Sequence, residues 1–259
     1  MSPILQVSNL NRTFGAVIAA SDINLSIFDQ ETVAIIGSNG AGKTTFVNMV
    51  SGYLKPSSGI IQFKEQDITG LPPRGVCKAG LCRSFQVAQL FPALTVLENM
   101  MIAFAMLHVG YSSFFNALDN RTSRSQSLEV LKNFGIADHA DAKVGALAQG
   151  VRKLLDISMA MVSRPALLLL DEPTSGVAID EKFALMEAVM TGVRESGAAV
   201  MFIEHDMEIV SRYANRTIAF YEGTVIADGA TPAVLSDERV RKFIVGEIQE
   251  AAIAATGHD

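Results

Sequence analysis

A glycine-rich turn, Gly37-Ser38-Asn39-Gly40-Ala41-Gly42-Lys43-Thr44-Thr45, constrains this chain more than any other stretch. It follows Thr32-Val33-Ala34-Ile35-Ile36, a short apolar run rich in β-branched residues that reads as a buried strand. After it, Phe46, Val47, Met49 and Val50 recur at helical spacing. Strand, glycine turn and helix form the setting that the GxxxxGK[ST] pattern needs to hold a phosphate. Glycines let the backbone wrap an anion, so that several N–H groups converge on it. The helix opening near Lys43 directs its positive dipole end at the same point. Lys43 is then expected to reach the β- and γ-phosphates of a nucleotide, and the Thr44 hydroxyl to ligate Mg2+. The competing reading is a turn that binds nothing, and the complete motif in this setting argues against it.

The 259 residues can bury one sizeable core with an inserted subdomain. Hydrophobic residues make up 49% and charged residues 19%, a balance that excludes a disordered chain. The net charge of −6 gives no overall positive field for nucleic acid. Met1-Ser2-Pro3-Ile4 lacks the basic and apolar regions of a signal peptide, and the apolar run Met100 to Val109 is too short to span a bilayer. A cytoplasmic location is therefore expected. Cys77 and Cys82 have no second pair to complete a zinc site, and the four histidines show no metal-ligand spacing.

Along the chain, Ile4 to Gln30 alternates apolar and polar residues, as half-buried antiparallel strands do. Within it Phe14 falls in a turn, where spacing alone favours a small core aromatic. Gly52 to Gly59 ends the helix after the glycine turn, Ile60 to Phe63 suggests a strand, and Pro72-Pro73-Arg74 starts a short helix or turn. Leu81 to Phe85 reads as a strand with Gln86 after it, Val96 to Met106 as a helix, and Tyr111 to Arg124 as a long surface loop. Leu128, Leu131 and Phe134 mark a further helix that Gly135 ends. Gln86 to about Arg164 is thus a mainly helical insertion between two strand-bearing halves. A closing hairpin over Thr217 to Ile226 and a helical tail after Ser236 complete the chain.

Ala166-Leu167-Leu168-Leu169-Leu170-Asp171-Glu172 is a continuous apolar strand ending in two carboxylates, the pattern of a parallel strand buried on both faces. Ligands of open α/β folds bind at such carboxyl ends. Asp171 is expected to organise a metal ion and Glu172 to act as general base for water. Ala198 to Ile203 is a second buried strand, after which the His205 imidazole could contact a γ-phosphate.

In this order and spacing, the chain from about Leu5 to Gly246 resembles the nucleotide-binding subunit of ABC transporters. The matching pieces are Gly37 to Thr45 (Walker A), Ser84-Phe85-Gln86 (the glutamine loop), Leu168 to Pro173 (Walker B with its glutamate), Ser175-Gly176 at the start of the D-loop, and Ile203-Glu204-His205-Asp206 (the histidine switch). The resemblance implies a P-loop NTPase core, mainly a parallel sheet flanked by helices, with an N-terminal antiparallel β subdomain and an inserted α-helical subdomain. Its boundaries would be 4–86 and 165–235 for core and β subdomain, 87–164 for the helical subdomain and 236–259 for the tail. It also implies ATP and Mg2+ as bound species and Phe14 as the aromatic stacking on adenine. Gly37, Ser38, Asn39, Gly40, Ala41, Gly42, Lys43, Thr44 and Thr45 would hold the phosphates, while Thr44, Gln86 and Asp171 would serve the metal. Gln86, Glu172 and His205 would serve catalysis.

Arg83-Ser84-Phe85-Gln86, Leu90-Phe91 and Leu94 to Asn99 further resemble the class importing branched-chain and other hydrophobic amino acids. The ending Gly223 to Gly229 and Val240 to Gly246 is similar to that class and to a lipopolysaccharide-export ATPase. The partners implied are a homologous ATPase subunit, two integral membrane permease subunits and, indirectly, a periplasmic or extracellular substrate-binding protein, at the cytoplasmic face of the membrane. Val87 to Val96, with Leu90, Phe91 and Leu94, could offer an apolar groove to a short helix of a membrane subunit, the competing reading being core packing of the helical subdomain.

The family signature LSGGQ should fall at Leu147-Ala148-Gln149-Gly150-Val151, where only Leu147 and Gly150 match. Ala148 cannot donate the serine's hydrogen bond to the partner's ATP, a loss of about 1.5–3 kcal/mol. Backbone N–H groups and a helix from Arg152 onward could still face the anion. Ala178 replaces the usual D-loop aspartate, and Asp180 is expected to cap the next helix. These departures favour a heterodimer with a subunit carrying an intact signature, although a homodimer is compatible. Alternatives are an importer of urea or amides, an exporter, a poorly hydrolysing regulatory subunit, and a soluble ATPase acting on nucleic acid or ribosomes. The last would want a coiled-coil insertion or a basic surface.

Overall fold

The computed structural model describes residues 2–84, 90–108 and 121–246. They fall into two compact units, Met1–Leu81 with Ala199–Asp259, and Cys82–Ala198. In the first unit, β1 (Leu5–Phe14) pairs antiparallel with β2 (Val17–Ile27) and with β4 (Ser58–Phe63), and β5 (Gln66–Asp67) extends the sheet in the order β2-β1-β4-β5. Leu5, Val7, Ile23, Leu25 and Ile27 turn inward, as their alternation predicts. Leu10 is also buried, although it lies three residues after Val7. A register shift at Asn9, whose φ is 48°, absorbs the extra residue as a bulge.

Beside this sheet lie β3 (Thr32–Gly37), β8 (Ala199–Ile203), β9 (Arg216–Tyr221) and β10 (Thr224–Ala230), in the order β10-β9-β3-β8. β3 runs parallel to β8 and β9, and β10 returns antiparallel as the expected hairpin. Arg216 ties the two sheets of this unit. Its guanidinium holds both Asp228 carboxylate oxygens on β10, at 2.7 and 2.8 Å, and the Ser26 carbonyl on β2 at 2.9 Å. The fork geometry suits a carboxylate held bidentately. After α8 (Thr231–Ser236) and the short α9 (Glu238–Val240), a π-helical turn over Arg241–Val245 stacks Phe243 on Tyr221, ring centroids 4.8 Å apart.

In the second unit β6 (Leu81–Arg83) runs beside β7 (Leu167–Asp171), and the Ser84 N–H donates to the Leu169 carbonyl at 2.9 Å. Every residue of β7 is buried, which is why its sequence shows no alternation. The described residues of the unit also form the α-helices α3 (Val96–His108), α4 (Arg121–Asn133), α5 (Gln149–Met161) and α6 (Lys182–Ser196). Among the described residues no helix is long and apolar enough to cross a membrane.

Several boundaries differ from the sequence expectation. The strand expected over Leu81 to Phe85 ends at Arg83, and Phe85 lies outside the described residues. The loop expected over Tyr111 to Arg124 is already helix from Arg121, because the first two turns of α4 are polar and carry no apolar period to read. Asp180 does not cap α6: the N-cap is Glu181, and no side chain bonds there.

The start of α3 is a reciprocal cap. The Glu98 carboxylate accepts the Thr95 N–H at 2.7 Å, and the Thr95 hydroxyl accepts the Glu98 N–H at 3.2 Å. Asn99, fully buried, accepts from the Phe91 N–H and donates to the Phe91 and Thr95 carbonyls, fixing the approach to the helix. The Thr95 backbone N–H, aided by its hydroxyl, holds the Glu98 carboxyl below the usual glutamate range. A depressed pKa contributes stability that is present above the unfolded value and lost as pH falls through the folded one. Urea midpoints followed from neutral to acid pH should therefore show Glu98→Gln less stable than wild type, with the gap closing as Glu98 protonates. A gap independent of pH would remove the cap from the account.

Candidate nucleotide-binding site

The first unit carries the phosphate loop. β3 delivers Gly37 opposite Phe220 of β9, so close that a Cβ on Gly37 would lie 2.4 Å from the Phe220 carbonyl oxygen. The loop ends at Gly42, the N-cap of α1 (Lys43–Val50), with φ 96°. A Cβ there would meet the Ala19 carbonyl oxygen at 2.6 Å and the Gly223 Cα at 3.2 Å. Only glycine satisfies both the left-handed backbone and that wedge. The Gly223 N–H donates to the Ala41 carbonyl at 3.0 Å, so the β9–β10 turn braces the loop from outside.

Gly37, Ala41 and Lys43 are buried, Ser38, Gly42 and Thr45 half-buried, and Asn39, Gly40 and Thr44 exposed. The Lys43 ammonium folds back on its own loop, donating to the carbonyls of Gly37 at 2.6 Å and Ser38 at 2.8 Å. It thereby sits inside the turn rather than along the surface. Gly42 offers no side chain to cap α1, and the first-turn amides of a helix lack intrahelical partners. Those amides and the ammonium form a cradle for an anion.

His205 belongs to the same sheet edge. Ile35 on β3 pairs with Ile203 on β8, and the Glu204 N–H donates to the Ile35 carbonyl at 3.3 Å. Parallel pairing therefore brings His205 off β8 where β3 releases the phosphate loop. The His205 N–H is held by the buried Glu204 carboxylate at 3.2 Å, and Asp206 caps α7 (Met207–Tyr213). Phe14, the last residue of β1, is 47% exposed and not the core aromatic that spacing favours. The Arg12 guanidinium lies 4.6 Å from its ring centroid and donates to the Lys55 carbonyl at 2.9 Å. One face of the ring is thus backed by a fixed cation.

The second unit carries the carboxylates. Asp171 ends β7, 6% exposed, and bonds Arg83 of β6 at 2.5 Å. Glu172 then turns the chain with φ 48°, uncommon for a residue with a Cβ. Its carbonyl accepts from the Lys153 ammonium at 2.8 Å and the Ser175 N–H at 3.1 Å. The strand direction places Asp171, and the sharp turn gives Glu172 a different heading. Both cations escape motif reading: Arg83 stands only inside a resemblance segment, and Lys153 in the middle of a helix. The one available signal was the need of a buried carboxylate for a cation.

α5 opens at Gln149, three residues before the expected Arg152, with Ala148 as its N-cap and no side-chain cap bond. Ala178 and Ile179 are exposed, Ile179 by 81%. Phe14, Gly37 to Thr45 and His205 thus occur in the first unit, and Asp171 and Glu172 in the second. Gln86 lies outside the described residues.

The ABC transporter family model matches residues 20–175. The chain is 33% identical, over 95% of its length and 98% of the other's, to the high-affinity branched-chain amino acid transport ATP-binding protein LivG of Escherichia coli K12. It is 32% identical to the corresponding protein BraF of Pseudomonas aeruginosa, over 95% of this chain and 98% of BraF. A crystal structure of a nucleotide-free ATP-binding cassette from an ABC transporter superposes with a TM-score of 0.82 at 28% identity, covering 93% of this chain and 98% of that one. A cassette in its ADP conformation gives the same TM-score and identity over 94% and 98%. With a P-loop α/β core and a match extending along nearly the whole sequence, the chain belongs to the ABC transporter family, as an ATP-binding and ATP-hydrolysing subunit.

Proposed function

We propose that this subunit powers the import of branched-chain or other hydrophobic amino acids. The observation that carries the substrate class is the near full-length similarity to LivG and BraF. In this reading Phe14 stacks on adenine, Gly37 to Thr45 wrap the phosphates, and Lys43 exchanges two neutral carbonyls for charged phosphate oxygens. A phosphate oxygen is the stronger acceptor for an ammonium. Glu172 takes a proton from water as its oxygen bonds to the γ-phosphorus, and ADP departs with the bridging oxygen. His205 and Gln86 orient the water and the γ-phosphate.

The donors available for Mg2+ are a hydroxyl, Thr44, and a carboxylate, Asp171, with the Gln86 amide. Among the described residues no group of three His, Cys, Asp or Glu could hold a metal alone. That set fits a hard ion carried largely by phosphate and water. When bound, Mg2+ supplies charge neutralisation of the phosphates.

The working assembly is two ATPase subunits, a heterodimer in which the partner supplies a complete signature, on two permease subunits at the cytoplasmic face of the membrane. A periplasmic or extracellular binding protein delivers the amino acid. The Ala148 N-cap of α5, without a hydroxyl, supports the heterodimer over a pair of identical chains.

Reconstitution with the membrane subunits and binding protein tests this reading. ATP-driven uptake of labelled leucine or valine should occur, and urea or amides should not compete. Glu172→Gln should lower ATP turnover about 100-fold or more, the scale of a general base. Unchanged turnover would sink that assignment.

Nucleotide titration of the full chain provides a ranking. Losing Lys43 leaves phosphate charge unpaired at about 2–5 kcal/mol, against about 1–3 kcal/mol for an aromatic stack under a base. Lys43→Ala should therefore weaken ATP more than Phe14→Ala, and the reverse order would exchange their roles.

A further inference from the structure

We propose that Lys153 is a positioning residue for Glu172, tying the base of this chain's own nucleotide site to the helix that opens on Ala148. The proposal rests on the reading of Glu172 as general base. It begins with the backbone. Glu172 is left-handed at φ 48°, a conformation that persists in a non-glycine residue only where its surroundings hold it. Two contacts meet on its carbonyl oxygen, which accepts from the Lys153 Nζ at 2.8 Å and from the Ser175 N–H at 3.1 Å. Fixing that carbonyl fixes the peptide plane, and with it the direction in which the Glu172 side chain leaves the chain.

Lys153 is 9% exposed. Taking an ammonium from water is costly unless it gains strong acceptors, and the Glu172 carbonyl is one acceptor that Lys153 gains. One residue earlier Arg83 holds the Asp171 carboxylate in the same way. The two acidic positions at the end of β7 are thus clamped separately, Asp171 through its side chain and Glu172 through its main chain.

The position of Lys153 adds a consequence. It lies on α5, five residues after the Ala148 N-cap. Through that side chain the turn carrying Glu172 is joined to the helix whose start carries the degenerate signature.

Four proteins test this in the assembled transporter: wild type, Lys153→Gln, Lys153→Arg and Glu172→Gln. Lys153→Gln should lower kcat about 10- to 100-fold, the scale of a charged hydrogen bond or a misplacement of about 1 Å. ATP affinity should stay within about two-fold, and Lys153→Arg should restore most of the rate. Amide exchange supplies a readout independent of turnover. In Lys153→Gln the peptide containing Ser175, whose N–H shares the carbonyl, should exchange faster, while the Gly37–Val50 peptide should not.

An unchanged kcat or unchanged exchange at Ser175 would overturn the proposal. So would a joint loss of kcat, ATP affinity and thermal stability that arginine fails to restore, since that marks Lys153 as support for the fold alone. Full turnover in Glu172→Gln would instead remove the base assignment, and the proposal with it, whatever Lys153→Gln does.

Discussion

The placement of β3 between two parallel neighbours decides where the first unit can act. Parallel strands release their following loops at one edge, so β3, β8 and β9 deliver the phosphate loop, His205 and the Phe220–Gly223 region together. The approach is tight enough that Gly37 and Gly42 have no room for a Cβ. Antiparallel insertion of β3 would send His205 to the opposite end. A phosphate loop elsewhere in the chain would lose the Gly223 brace. The apolar run Thr32–Ile36 therefore does more than fill the core: its pairing direction aims the chemistry.

In the second unit the controlling interactions are electrostatic. Asp171 ends a strand whose other residues are all aliphatic and buried, surroundings that penalise an unpaired charge. Arg83, itself 11% exposed, lies against it, and removing one member of so buried a pair costs about 3–5 kcal/mol. Glu172 follows in a strained conformation that costs of order 1–3 kcal/mol. The contacts from Lys153 and Ser175 offset that cost. Strand burial thus calls for a cation such as Arg83, and Lys153 is one of the groups that hold the sharp turn after it.

Local patterns were legible in sequence, and distant partners were not. The strand-turn-helix around Lys43, the unbroken leucines of β7, and the Thr95–Glu98 cap each depend on residues within a few positions of one another. The start of α4 was hidden because Arg121 to Ser127 carry no apolar stripe, and the helix forms against α3 and α6 rather than by its own pattern. Leu10 was hidden by the bulge at Asn9, which breaks period two. Phe14 reads as core by spacing because nothing nearby in sequence shows Arg12 bridging to Lys55, 43 residues away. Arg83 with Asp171 and Lys153 with Glu172 join residues 88 and 19 positions apart, beyond any periodicity or motif.

Helix starts show how stability and site chemistry trade against each other. α3 and α7 begin with oxygen caps, at Thr95 with Glu98 and at Asp206. α1 and α5 begin on Gly42 and Ala148 without one. A good cap is worth about 1 kcal/mol, so both starts forgo stabilisation that a serine or aspartate would bring. Uncapped starts at α2 (Pro73–Ala79), α6 and α8 show that a missing cap alone marks nothing. What separates α1 is the wedge around Gly42: a side chain long enough to cap would collide with Ala19, so the space that excludes a cap also keeps the amides for an anion. At the start of α5, Ala148 is exposed and already carries a Cβ. Its missing cap is a choice of residue rather than a demand of packing. The two helix starts thus differ in kind: at α5 the cap is missing from a side chain, while at α1 the backbone beside β2 leaves no room for one.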